Sequence, residues 1–201
     1  MTSGVRQGGV LSPVLFNIYV DCLISELRKL GLGCYMHGVY IGCIMYADDI
    51  LLLSASVIQL QSMLNKCSEL GNHLGIKFNE TNFKCIVIGH NKFCAPFGNL
   101  DINNCTLKWE SKMKYLGLWF CSGKQFKIDF TDTRRKFFSS VNSILYNCKY
   151  ASEPCKLQLV EAHCLPILMY AIESLSLKQD DLKKINSWWN AVYRKIFNYN
   201  K

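Results

Sequence analysis

The sequence predicts an α+β fold, mixed helix and sheet over residues 1–124 and all helix over 125–201. Three observations carry this expectation. Apolar residues recur at helical spacing after Ser12-Pro13 and again from Val57. Short apolar or alternating runs bounded by Gly, Asn and Asp lie between and after those stretches and read as strands. From Asp132 onward only helical spacing remains, so a domain boundary is expected near residue 125.

The elements follow in order. Residues 2–11, with Gly4, Gly8 and Gly9, form an opening loop. Ser12 is expected to cap a helix that carries Pro13 at its first position. Its apolar face holds Val14, Leu15, Ile18, Tyr19, Cys22, Leu23, Leu27 and Leu30, and Gly31 stops it. Val39 to Ser54 reads as one hairpin, with Val39–Tyr46 and Ile50–Leu53 as arms and Ala47-Asp48-Asp49 at the turn. A second helix carries Val57, Leu60, Leu64 and Cys67 and ends near Gly71. Phe83–Gly89 is expected as a strand, 90–105 as a loop, and Leu107–Trp109 and Tyr115–Phe120 as a strand pair. Three helices follow. The first carries Phe137, Phe138, Val141, Ile144, Leu145 and Cys148. The second starts at Pro154 and bends or breaks at Pro166. The third runs from Asp180 to Asn198.

Half of the residues are apolar and 12% are aromatic, enough for a core and too many for a disordered chain. Charge is unevenly spread. Residues 1–101 hold seven basic and seven acidic side chains, and residues 102–201 hold sixteen and eight. The whole excess of +8 therefore lies in the second half, which leans slightly toward a polyanion partner over an ordinary solvated surface. The eleven cysteines are irregularly spaced, with no CxxC pair and no zinc spacing. The first residues lack the apolar core of a secretion signal. Reduced, mostly buried thiols in an intracellular protein are expected, nuclear or cytoplasmic and not secreted. Two long uncharged stretches, Leu30–Ala47 and Ile50–Asn65, flank Asp48-Asp49. A charged pair there would be costly in a bilayer, so buried strands are expected and no membrane.

The chemistry centres on Tyr46-Ala47-Asp48-Asp49. Two adjacent carboxylates between apolar strands repel each other unless a proton or cation joins them. Carboxylate oxygens suit Mg²⁺, and a pair of such ions can activate a 3′-hydroxyl and stabilise a leaving phosphate. A bare Asp-Asp is more often a solvated turn. The apolar flanks make the two readings about equal.

The wider context adds a resemblance. Gly4-Val5-Arg6-Gln7-Gly8-Gly9-Val10-Leu11-Ser12-Pro13-Val14-Leu15-Phe16-Asn17 resembles the GxxQGxxLSPxLF motif of reverse transcriptases. Tyr46-Ala47-Asp48-Asp49-Ile50-Leu51-Leu52 resembles their YADD motif, in the expected order and with a helix between the two. Leu74–Asn79 resembles the next family segment, and Lys114-Tyr115-Leu116-Gly117 resembles the YLG primer-grip segment. The combination is similar to the non-LTR (LINE-like, jockey/CR1-type) branch and covers residues 1–120. The helical remainder resembles the family's thumb, with familiar elements only at Leu165-Pro166 and Arg194-Lys195-Ile196.

The resemblance implies a partial polymerase palm, an antiparallel sheet with packed helices, over 1–124, and a helical thumb-like region over 125–201. It implies an RNA-directed DNA polymerase that uses Mg²⁺ or Mn²⁺, an RNA template, a DNA primer and dNTPs. Asp48 and Asp49 would be catalytic metal ligands, with Asp48 the more critical. Arg6, Gln7, Gly8, Tyr46 and Ala47 would lie beside the template and nucleotide. Tyr115, Leu116 and Gly117 would support the primer end. Arg6 reads equally well as a surface charge, and Tyr115 and Leu116 as strand core.

Three departures shape the expectation of activity. The family's site uses another Asp, on a strand upstream of the GxxQG segment, and Met1 stands only three residues before Gly4. The chain is therefore expected to be an N-terminally truncated piece that cannot polymerise alone, with Asp21 no substitute. The family's Asn-x-x-Lys-Thr/Ser pattern is replaced by Asn79, Asn82 and Phe83, with Lys84 displaced by two. No endonuclease region or zinc knuckle is present. The alternatives are a non-catalytic nucleic-acid-binding remnant, or a subunit whose site another chain completes.

Overall fold

The computed structural model of the chain describes residues 6, 8–79, 82–89, 98–103 and 105–199. The fold is α+β. It divides into two compact units, residues up to 113 with 121–126, and residues 114–120 with 127–201.

The first unit opens with helix α1, Ser12–Lys29. Pro13 fits its first turn, and Arg28 and Lys29 sit where the dipole favours cations. Ser12 is not the cap. Leu11 holds that position in helical conformation, and the Ser12 hydroxyl donates back to the Arg6 carbonyl at 2.6 Å. Of the expected apolar face only Leu23 and Leu27 are buried, joined by Val20 from outside it, while Val14, Leu15, Ile18 and Tyr19 lie about half exposed or more. The stripe is wider than the surface that covers it among the described residues.

The expected long hairpin is two hairpins. β1 (Tyr35–Met36) pairs with β2 (Val39–Tyr40), and β3 (Cys43–Tyr46) pairs with β4 (Asp49–Leu52). His37 and Gly38, at φ 49° and 79°, supply the first turn, a signal the alternating pattern hid. Gly42 separates the hairpins because a Cβ there would stand 2.6 Å from the Tyr40 ring. Asp49 is consequently the first residue of β4 and not part of the turn.

Helix α2 spans Val57–Leu74 and stops at Gly75, φ 68°. Gly71, expected near the end, lies buried inside the helix. A Cβ on Gly71 would come within 2.6 Å of the Phe78 ring, so that glycine serves close packing and Gly75 serves the stop. Leu23 and Leu27 of α1, Cys43 of β3, and Met63 and Cys67 of α2 form one core, with Met45, Ile50 and Leu52 packed against it. A neighbouring core joins Leu64 to Leu100, Ile102 and Leu107.

Those last residues belong to β5 (Leu100–Ile102) and β6 (Cys105–Leu107), a hairpin that begins inside the stretch 90–105 expected to be loop and ends at Leu107, which pairs with Leu100 and not with the 115–120 segment. Residues 90–97 of that stretch lie outside the described residues. The Gln61 side chain fixes β5, donating to and accepting from the Asp101 backbone at 2.7 Å each. The expected strand 83–89 makes only isolated parallel bridges, Cys85 to Trp109 and Ile88 to Gly123. Between them the Ser122 hydroxyl bonds both the N–H and C=O of Val87, occupying groups a ladder would need.

β7 (Lys112–Tyr115), β8 (Leu118–Cys121) and β9 (Lys127–Asp129) form a sheet in that order. Tyr115–Phe120 is thus not one strand. The chain reverses at Leu116-Gly117, where φ is 45° and 83°.

The second unit holds α3 (Thr131–Asn147), α4 (Glu153–Met169) and α5 (Gln179–Phe197). Phe137, Val141, Val160, Cys164, Leu168, Val192 and Ile196 form its core. Pro154 occupies the first turn of α4. Pro166 does not break the helix, which runs three residues further, because a proline in the last turn disturbs few bonds. Residues 153–174 are apolar and long enough to cross a bilayer, and in this fold they supply Val160, Cys164 and Leu168 to the core.

The ten cysteines among the described residues are free. Burial pushes the Cys43 thiol up to about 11, and burial with the nearby Cys43 pushes Cys67 to about 12, from an ordinary 9. In the folded chain these thiols hold their protons longer than in the unfolded chain. Their contribution to stability is therefore flat below pH 9, and Tm is expected to fall as pH rises from 9 toward 12. Iodoacetamide at neutral pH should modify exposed Cys22 and Cys155 first, and buried Cys43, Cys67 and Cys164 only after denaturation.

Candidate active site

The β3–β4 ladder pairs Cys43 with Leu52, Ile44 with Leu51, Met45 with Ile50 and Tyr46 with Asp49. Side chains directly opposite share a face. One face, Cys43, Met45, Ile50 and Leu52, packs against α1 and α2. The other carries Ile44, Tyr46, Asp49 and Leu51, with Ile44 and Tyr46 exposed. Sequence reasoning missed Ile44 and Leu51 as partners of the motif, although the two-residue period was the signal for them.

The turn is Ala47-Asp48. Ala47 takes φ 51°, left-handed backbone that an alanine rarely adopts. Asp48 and Asp49 are both exposed. Neither carboxylate has an ion-pair or hydrogen-bond partner among the described residues. The pair therefore presents free oxygen donors on a fixed ladder end. Among the described residues no third His, Cys, Asp or Glu joins them to make a metal-holding group. Two hard oxygen donors left unneutralised fit a divalent cation as part of a larger donor set.

Arg6 is exposed. Its carbonyl accepts from the Gly9 N–H at 3.2 Å and from Ser12, which ties this loop to the start of α1. Gly8 stands at φ 78°, left-handed backbone that favours glycine, although a Cβ there would meet open space. Gln7 lies outside the described residues. No hydrogen bond or ion pair joins Arg6 to Asp48 or Asp49 among the described residues.

Following α2, the Asn82 N–H donates to Asn79 O at 3.1 Å. Phe83 packs beside Leu64 and stacks edge-on with Phe78, ring centres 6.3 Å apart. Lys77 and Lys84 are exposed. In the second unit Tyr115 and Leu116 are half-buried at the β7–β8 turn, and Gly117 is exposed beside Tyr170.

The family model described as "Reverse transcriptase (RNA-dependent DNA polymerase)" matches residues 1–120. The chain is 26% identical over 219 aligned residues to the Retrovirus-related Pol polyprotein from type-1 retrotransposable element R2 of Popillia japonica, covering 98% of the chain and 33% of that relative. It is 30% identical to the type-2 element R2DM polyprotein of Drosophila melanogaster over 58% of the chain and 12% of that relative. It is 24% identical to the RNA-directed DNA polymerase from mobile element jockey of Drosophila funebris, over 96% and 22%. The chain thus spans a third or less of these relatives. No solved structure matches it.

The ladder end gives a direct stability test. Ala47→Gly removes left-handed strain but adds freedom to the unfolded chain, so it should change stability by less than about 1 kcal/mol, in the stabilising direction. Ala47→Val should cost about 1–3 kcal/mol, because a β-branched side chain tolerates this φ worst. Urea unfolding of the two variants checks both.

Proposed function

The chain belongs to the reverse transcriptase family, and from that premise we propose that it forms the YADD-bearing palm portion and the thumb of an RNA-directed DNA polymerase of a non-LTR retrotransposon. The observation that carries the reading is the ladder that fixes two free carboxylates at the tip of an otherwise apolar hairpin. Residues 1–124 act as the partial palm and 125–201 as the thumb-like region.

Asp48 and Asp49 hold Mg²⁺ or Mn²⁺ through their carboxylate oxygens. The chemistry supplied there, once divalent ions are bound, is activation of a primer 3′-hydroxyl and neutralisation of the leaving phosphate. Asp48, at the turn, is the more critical ligand. Tyr46, beside Asp49 on the exposed face, and Ala47 border the nucleotide, with Arg6, Gln7 and Gly8 on the template side. Tyr115, Leu116 and Gly117 support the primer end.

The second unit supplies cations for nucleic-acid phosphates. Arg135, Lys136, Ser139, Ser143 and His163 line an open groove of about 620 Å³ between α3 and α4. Asp132 ties back Arg135 at 2.7 Å and Lys136 at 3.3 Å. Burial pushes the Asp132 carboxyl up, but the hydrogen bonds from Lys136 and Arg135 outweigh that and hold it below the ordinary carboxylate value. Arg134 lies 5.9 Å from the ring centres of both Phe138 and Trp188, so its charge rests on aromatic faces. Trp189 packs toward Phe137 as core rather than as a platform for bases. The partners are an RNA template, a DNA primer and dNTPs, in an intracellular setting that keeps the thiols reduced.

One observation favours a second reading, a non-catalytic nucleic-acid-binding chain: the described residues bring no third ligand to Asp48 and Asp49.

Two experiments test these readings. An RNA/DNA hybrid titrated with the chain should bind with little sequence preference and weaken steeply with salt. Arg135→Gln with Lys136→Gln should lower the slope of log affinity against log salt by about two. No binding at low salt would refute both readings. The second experiment tests the carboxylates. Mn²⁺ should bind weakly, and Asp48→Asn should weaken it more than Asp21→Asn. Primer extension with Mg²⁺ by these 201 residues should be absent. Extension that Asp48→Ala abolishes would show instead that the site is complete.

A further inference from the structure

The β7–β8 turn is held from outside the hairpin. Leu116 stands at φ 45° and Gly117 at φ 83°, a turn that ordinarily takes Asn-Gly or Asp-Gly. A leucine fits this backbone poorly, so something beyond the ladder must hold it there. Tyr170 does so in two ways. Its hydroxyl donates to the Leu116 carbonyl at 2.9 Å, across 54 residues of sequence. Its ring lies so close over Gly117 that a Cβ there would stand 3.1 Å from Cε1 and 3.4 Å from the hydroxyl oxygen.

Tyr170 is itself fixed. It ends α4, whose Val160, Cys164 and Leu168 are anchored in the core. Ala171 follows at φ 60°, and a short 3₁₀ turn over Ile172–Ser174 closes on it, with Ser174 N–H donating to Ala171 O at 3.1 Å. Yet Tyr170 is 56% exposed and adds little to the core. Its contacts are spent on the tip of the hairpin.

We infer that Tyr170 is a positioning residue that sets the Leu116-Gly117 turn in the conformation that supports the primer 3′ end. This rests on the reading of Tyr115–Gly117 as the primer grip and adds to it a residue outside that segment. Only the Leu116 carbonyl and the Gly117 backbone are held, so Tyr170 acts through the turn and not on nucleic acid. The Tyr170 hydroxyl accounts for the carbonyl's orientation, and the ring adds a close contact at a glycine that the φ of 83° already favours.

The test uses the full chain and an RNA template annealed to a DNA primer that carries 2-aminopurine as its 3′-terminal nucleotide. Anisotropy of a label at the far end of the duplex reads total binding, and 2-aminopurine fluorescence reads the primer end. Tyr170→Phe removes only the hydroxyl. It should leave total affinity within twofold and the thermal melt unchanged, while the primer-end signal falls severalfold. Gly117→Ala should also lose the primer-end signal, through the strained φ of 83° and the ring contact together. An unchanged primer-end signal in Tyr170→Phe overturns the inference. Equal loss of affinity and signal also overturns it, because that is what a merely structural residue would give. If the wild-type chain binds hybrid but shows no primer-end signal, the grip assignment falls and this inference with it. If the wild-type chain does not bind hybrid at all, the proposed function itself has failed.

Discussion

The pairing of Cys43 with Leu52 through Tyr46 with Asp49 is the constraint on which the rest of the first unit depends. Because side chains alternate along a strand, a slip of one residue would turn Cys43 and Met45 to solvent and bring Asp49 toward α1 and α2. Burial of an apolar side chain contributes roughly 1.5–3 kcal/mol when complete, and an unpaired carboxylate in the core costs far more. The partly buried Met45, Ile50 and Leu52 therefore lock the register from the core side. The carboxylates gain from that lock a position a free loop would not give them. They are held at the end of a ladder while their own face stays open.

The two units differ in how they use charge. Among the described residues of the first, Asp48 and Asp49 have no cation partner, Arg28 lies 5.9 Å over the Tyr40 ring, and Lys29 with Glu26 and Lys66 with Glu69 form local helix pairs. Such pairs contribute little to stability. In the second, cations outnumber acids, and several are placed by packing. Arg134 and Lys195 lie over the Phe138 ring, and Lys195 also reaches Asn142 at 3.1 Å. Packed cations on the sides of a small helical core lose less freedom on meeting a polyanion than free surface lysines do.

How much of this was legible depended on what each residue's signal was. Helix α1 was readable from Pro13, the apolar spacing and Gly31, and the YADD tip from its apolar flanks. The α+β class followed from the change of period. The breaks in the sheet were not readable. Gly42 looks like an ordinary alternating position until the Tyr40 ring lies against it, and Gly71 looks like a helix stop until Phe78 packs over it. Both roles are set by residues that approach in space. The stretch around Val87 has a strand's composition, but its bonds to Ser122, Gly123 and Glu110 make isolated bridges and not a continuous ladder. At Leu116-Gly117 the hydrophobic pattern ran straight through a turn, because the residue that stabilises the turn is Tyr170, 54 positions away.

Backbone strain gives the candidate site a signature independent of any motif. Among the described residues six that are not glycine have positive φ: His37, Ala47, Asn103, Leu116, Ala171 and Asn198. His37, Asn103 and Asn198 are of types that tolerate this region, and they sit at an ordinary hairpin, another hairpin and a helix end. Ala47, Leu116 and Ala171 are of types that do not. Ala47 carries the carboxylate turn, Leu116 carries the turn of the YLG segment, and Ala171 directly follows the tyrosine that holds that turn. Strain of order 1–3 kcal/mol at each such position persists only where the surroundings over-determine it. At Ala47 the surroundings are the buried face of the ladder, and at Leu116 they are Tyr170. Two of the three strained positions, Ala47 and Leu116, fall within segments that the sequence singles out, and the third, Ala171, follows the residue that holds Leu116 in place.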